Sequence, residues 1–176
     1  MLHDPRLLDI LERLIAPSRW EGTVWRRTIG DWHPLTPNAR GARWNPPGVD
    51  ALYCSLSPRG ADVELAGMLA RQPVATSMPL RTTALVVSLA KVADVRDAEA
   101  LDVLGFGQVA LTADAWTAAQ VIGAAAAWLG IAGLIVPSAR HEDGNMVVFV
   151  NNIGPGDQVD VVPTGDPVWQ RPSDSS

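Results

Sequence analysis

The sequence predicts a single α+β domain, a mostly antiparallel sheet with flanking helices. Three observations lead there. The chain has 176 residues, 47% of them hydrophobic, enough for one proper core and too few for a second domain. Strand-like and helix-like runs both occur, without the strict alternation that a parallel sheet needs. Near the C-terminal end AGLIVP, NMVVFV and QVDVV read as successive strands, the last two joined by the turn-rich NNIGPGD.

The elements follow in order. Leu7, Leu8, Leu11, Leu14 and Ile15 recur at helical spacing after the start signal Asp4-Pro5, so the chain opens with an amphipathic helix. GTVWRRT reads as a strand, and the Gly-, Pro- and Asn-rich stretch from Ile29 to Pro47 as a long loop, a length that is usually functional. DALYCS is the next strand. Ser57-Pro58 supplies a cap and a first-turn proline for a helix over roughly Ala61 to Arg71. TTALVVSL is a continuous apolar strand, and DAEALDVLG a short helix stopped by Gly105 or Gly107. Ala115 to Leu129 is the main helix, ended by Gly130. The organisation expected is an N-terminal helix over 1–20, the domain body over 21–165 and a polar, disordered tail over 166–176.

Composition excludes several roles. The net charge is −5 and the sequence pI near 5.0, whereas direct nucleic-acid binding needs a basic stripe. Lys91 is the one lysine among fourteen cations, so anion recognition would run through guanidinium forks. The single cysteine, Cys54, cannot form an internal disulfide, which fits a reducing cytoplasm. No leader is visible in MLHDPRLLDILERLI, and AAQVIGAAAAWLGIAGLIVP, broken by Gly130 and Gly133, reads as a buried helix, turn and strand and not a membrane span. There is no P-loop and no GxSxG elbow, and GFG at 105–107 lacks the context of a dinucleotide fingerprint. His3, His33 and His141 are too scattered for a metal cluster, and His141-Glu142-Asp143 is expected to be solvated.

What remains is GARWNPPGVDALYCS, residues 41 to 55, with Glu64 shortly after it. Taken singly, each residue has an ordinary reading: Arg43 as a surface cation, Trp44 as a core anchor, Tyr53 as a packing residue, Glu64 as a charge on a helix face. Together they put a cation, a ring and a carboxylate on the loop, strand and helix around one strand mouth. Tyr53 and Cys54 point to opposite faces of that strand, so with Tyr53 at a cleft Cys54 faces the core. A catalytic thiolate there would want a cation on its own face, and the sequence offers no obvious one.

GARWNPPGVDALYCSLSPRGADVELAG followed by LIVPSARHEDGNMVVF resembles the RES-domain family, toxins of bacterial toxin–antitoxin pairs named for an arginine, a glutamate and a serine. The likeness runs from about Val24 to Asn152. Residue by residue it points to Arg43, Glu64 and Ser138, to Tyr53 in the same pocket and to Arg26 upstream. Two departures stand out: Gly41-Ala42 where the family often has two glycines, and Asn151-Asn152-Ile153 where it often has Asn-Pro.

The resemblance implies an ADP-ribosyltransferase-like fold that cleaves NAD, taken as substrate and not as a bound cofactor. On that reading Glu64 stabilises the oxocarbenium-like ribose and Arg43 and Arg26 hold the pyrophosphate. Tyr53 stacks on the nicotinamide, Ser138 bonds the ribose or positions Glu64, and Trp44, Asn45 and Asn145 complete the binding set. The acceptor stays open between water, phosphate and a protein side chain, and an inactive binding module is the alternative class. The implied partner is a helix-turn-helix antitoxin of the Xre type that blocks the cleft and itself touches DNA. No metal and no membrane enter the scheme.

Overall fold

The protein's structure is a computed structural model, and it describes residues 3–62, 79–104, 116–138 and 141–163. Asp4 starts the first helix (Pro5–Arg13), its carboxylate accepting from Arg6 N at 2.9 Å with Pro5 behind it in the first turn. Leu11 is its fully buried residue. Strands follow at Trp20–Ile29 (β1), Ala51–Ser55 (β2), Leu80–Leu89 (β3) and Val92–Asp94 (β4), then a short helix over Ala98–Val103. The main helix spans Trp116–Trp128, and Gly133–Val136 (β5), Asn145–Phe149 (β6) and Gln158–Val161 (β7) complete the sheet.

The sheet has seven strands in the order β4-β5-β6-β2-β1-β3-β7. Every neighbouring pair is antiparallel except β4–β5, so the predicted α+β class with a mostly antiparallel sheet holds. β1 is longer than GTVWRRT because it pairs with β3 along its whole length, from Trp20↔Leu89 to Ile29↔Leu80. β4 was not expected. Its three residues carry no periodic signal and become a strand only by lying parallel to β5. The helix after Ser57-Pro58 starts as predicted and is helical over 58–62; the rest of its expected span, with Glu64, lies outside the described residues, as do GFG and the tail.

Only Ala90 and Lys91 separate β3 from β4, yet these strands stand sixth and first in the sheet. The sheet must therefore curl back on itself. A Cβ at Gly133 in β5 would lie 3.0 Å from Leu89 of β3, which fits that closure. The curl encloses one core of Val24, Leu85, Val87, Ile135, Met146 and Val148. On the opposite face Phe149, Val147 and Leu134 pack under Ala119, Ile122 and Ala126 of the main helix. Each fully buried Phe, Leu or Ile there contributes about 2 kcal/mol, so these two layers dominate the stability.

The main helix ends where sequence expected, at Gly130 with φ 72°. Its last carbonyls are bonded by distant residues. Lys91 Nζ donates to Leu129 O at 2.6 Å, and Asn152 Nδ2 donates to both Ala127 O and Ile131 O at 2.8 Å. Asn152, in the segment that departs from the family pattern, is thus a helix cap. No described helix is long and apolar enough to cross a membrane.

Candidate active site

The arginine loop is held from three sides. From the strand, the Tyr53 hydroxyl accepts from Trp44 N and donates to Asn45 Oδ1, both at 2.8 Å. From within the loop, Asn45 Nδ2 donates to Asn38 O at 2.9 Å and Val49 O at 2.7 Å. From the main helix, Gln120 Nε2 donates to Ala42 O at 2.9 Å. A Cβ on Gly123 would fall 1.7 Å from Trp44 O, so the helix backbone rests directly on the loop and only glycine permits it. Arg43 lies between two residues fixed in this way, half-buried beside Tyr53.

Two expected ligands are structural instead. Trp44 is 2% exposed and anchors the core beneath the main helix. Asn45 is fully buried, with both amide hydrogens and its oxygen engaged within the protein. Neither has surface or bonding capacity to offer a substrate, which corrects their place in the binding set. Sequence could not separate these roles, because a turn-rich RWN segment reads the same whichever way its side chains point. Tyr53 is partly engaged as well: its hydroxyl is bonded inside the protein, and burial raises its pKa well above the ordinary phenol value.

Strand parity corrects a third assignment. Trp25 pairs with Ser55 across β1 and β2, so Arg26 shares a face with Cys54, and Arg27 shares the face of Tyr53. Arg26 is 8% exposed and donates to Tyr53 O at 3.3 Å and Thr36 O at 2.6 Å. It bridges the gap where β1 and β2 part and the Asn38 segment bridges to Ala51 in its place. That side chain is occupied and faces away from Tyr53. The cation missing from Cys54's face is therefore Arg26. Burial still dominates and pushes the Cys54 thiol up to about 12, so Cys54 remains a core thiol and no nucleophile.

Arg27, which sequence reasoning passed over, is the arginine on the Tyr53 face. It pairs with Asp62, the last described residue before Glu64, and burial lowers its pKa. The signal was available: pairing parity between two antiparallel strands, read from any one correct register. The same face carries Asn145, which pairs with Ser55 on one side and Val136 on the other. Ser138 follows Val136 by two residues and is half-buried. The structure thus gathers Arg27, Tyr53, Ser55 and Asn145 on one face of adjacent strands, with Arg43 in the loop bonded to Tyr53 through Trp44 and Asn45, and Ser138 two residues past β5. A cleft of 440 Å³ beside the first helix, rimmed by Arg13, Asp94, Asp97 and Glu99, contains none of them. No group of three His, Cys, Asp or Glu able to hold a metal exists among the described residues.

Comparison with known proteins bears on the family and the fold. The family model described as the RES domain matches residues 13–170. A chain of the crystal structure of the MbcT–MbcA toxin–antitoxin complex from M. tuberculosis superposes with a TM-score of 0.76 at 24% identity, covering 95% of this chain and 93% of that one. A search of curated proteins gave no match. With the arginine loop, its tyrosine and the serine after β5 inside a match over most of its length, the chain belongs to the RES-domain family.

Proposed function

We propose that this protein is the toxin of a bacterial toxin–antitoxin pair and that it cleaves NAD between nicotinamide and ribose. The observation that carries the reading is the bonding of the loop onto Tyr53 through Trp44 and Asn45, which holds half-buried Arg43 in a fixed loop at the same strand mouth. In the cleavage the C1′–N bond breaks, nicotinamide leaves as a neutral base with the bonding pair, and positive charge grows on the ribose. Water or phosphate then adds at C1′; when water adds, its proton passes to solvent. Glu64 supplies the negative charge that this ribosyl cation needs. Arg43 suits the pyrophosphate dianion, since guanidinium pairs bidentately with phosphate oxygens, while Arg27 on the Tyr53 face is held by Asp62. Arg26, bonded to Tyr53 O and Thr36 O, takes no part. Ser138 and Asn145 offer hydrogen bonds to the ribose.

The similar M. tuberculosis structure is of a toxin–antitoxin complex. An enzyme that consumes NAD needs such restraint, so we include an antitoxin of the helix-turn-helix Xre type that enters the cleft. The acidic net charge of −5 favours DNA contact through that partner and not through this chain. The test is to incubate the pure protein with NAD, with and without phosphate, and identify the products. Free nicotinamide with ADP-ribose or its phosphorylated form is expected. ADP-ribose found only on added protein would move the function to protein modification, and unchanged NAD would leave an inactive binding module. In cells, expression alone should deplete NAD and stop growth, and co-expression with the adjacent reading frame should restore both.

A further inference from the structure

The turn between β2 and Glu64 is gripped more closely than a helix start requires. Ser57 Oγ accepts from Gly60 N at 3.0 Å, an ordinary cap. Gly60 is also buried, and a Cβ on it would lie 2.3 Å from Ser55 Oγ, 3.1 Å from Ser57 Oγ and 3.4 Å from His141 Nδ1. Ser55 is itself 5% exposed and cannot swing into open space. Only glycine lets the turn lie this near the end of β2. Two residues on, Asp62 pairs with Arg27 of β1.

His141 closes the grip from the other side. It sits on the connection between β5 and β6, three residues after Ser138, with a side chain 11% exposed. The expectation that His141-Glu142-Asp143 is solvated therefore fails at the histidine. Its Nδ1 accepts from Asp143 N at 3.2 Å, a contact that holds the ring within its own turn, beside Gly60. A histidine serving only solubility would not need that burial.

We infer that His141 is a positioning residue: packed on Gly60, it sets the spacing between the loop that bears Ser138 and the chain that leads to Glu64. The inference rests on the proposal that Ser138 and Glu64 act on NAD. Glu64 is four residues beyond Gly60 in sequence, and a misplacement of about 1 Å at a reacting group can cost roughly a hundredfold in rate. His141 acts on that placement and touches no substrate.

The experiment uses His141→Ala, His141→Asn and Gly60→Ala in the full chain, with kcat and KM for NAD measured per folded molecule. His141→Ala and Gly60→Ala should each lower kcat by about tenfold or more and change KM by much less, because the pyrophosphate contact of Arg43 stays in place while only the ribose bond of Ser138 is disturbed. Asn carries an acceptor near the position of Nδ1, so His141→Asn should recover most of the loss. Amide exchange over residues 57–62 should quicken about tenfold in His141→Ala, while β6 is unchanged. An unaltered kcat in His141→Ala, or a KM that rises in proportion as kcat falls, overturns the inference. So does unchanged exchange over 57–62, and that reading needs no turnover. Wild-type protein that leaves NAD intact would sink the proposed function alone, with the exchange measurement still deciding whether His141 holds the turn.

Discussion

The hydroxyl of Tyr53 donates to Asn45 Oδ1 at 2.8 Å, and through that bond the strand determines where the arginine loop sits. Asn45 passes the restraint on to Asn38 O and Val49 O, so one phenol oxygen organises the loop on both sides of Arg43. A tyrosine, and not a phenylalanine, is needed there for a structural reason independent of any substrate.

Tyr53→Phe keeps the ring and removes that oxygen, leaving the Trp44 amide and the Asn45 carbonyl oxygen unsatisfied in a buried place. The cost expected is about 2 kcal/mol. Thermal denaturation should show a Tm lower by about 5 °C. An unchanged Tm would mean that water or a shifted loop replaces both bonds.

Gly123→Ala sets two effects against each other. Alanine gains about 1 kcal/mol of helix propensity over glycine. Its methyl would, however, stand 1.7 Å from Trp44 O, a backbone atom that cannot turn aside. Overpacking of that kind costs about 3 kcal/mol, so it prevails. The variant should be less stable in urea and should lose NAD turnover with the displaced loop; a stability equal to wild type would disprove the close packing.

Arg43→Lys retains the charge and loses the planar fork, and Glu64→Gln retains the shape and loses the charge. The first should raise KM for NAD with a smaller change in kcat. The second should lower kcat by roughly a hundredfold, about 3 kcal/mol of transition-state stabilisation, and still bind NAD. Glu64→Gln with full turnover, or Arg43→Lys with unchanged KM, would return that residue to an ordinary structural role.

Asp157 should govern part of the acid limb. Burial alone would raise its pKa, but the amides of Gly154 and Ala90 and the Arg19 guanidinium together outweigh it, and the pKa is lowered. A carboxylate depressed in the folded state adds stability above its unfolded pKa, about 4, and that stability is lost as pH falls through the folded value. Asp157→Asn should therefore be less stable than wild type at pH 7, with the difference shrinking below pH 4. A constant gap between the two denaturation curves from pH 7 to 3 would exclude the mechanism.

Local chemistry was enough to locate most elements. Asp4-Pro5, Ser57-Pro58 and Gly130 mark helix ends because capping is decided within a few residues, and apolar runs such as TTALVVSL and NMVVFV declare strands by themselves. The family motif pointed to Arg43, Glu64, Tyr53 and Ser138 as the proposed site, and alternation alone put Tyr53 and Cys54 on opposite faces. Pairing and packing decided the rest. β4 exists only against β5, and Arg26 or Arg27 reaches the Tyr53 face according to which residue stands opposite Ser55. Trp44 became a core anchor and Asn45 a bracket because helix and strand close on the loop from both sides, a contact between segments tens of residues apart. Asn152 caps a helix that ends more than twenty residues before it, and His141 comes to lie beside a turn eighty residues upstream. A side chain's type can be read where it stands in the chain; what it faces depends on register and on which surfaces the curled sheet brings together.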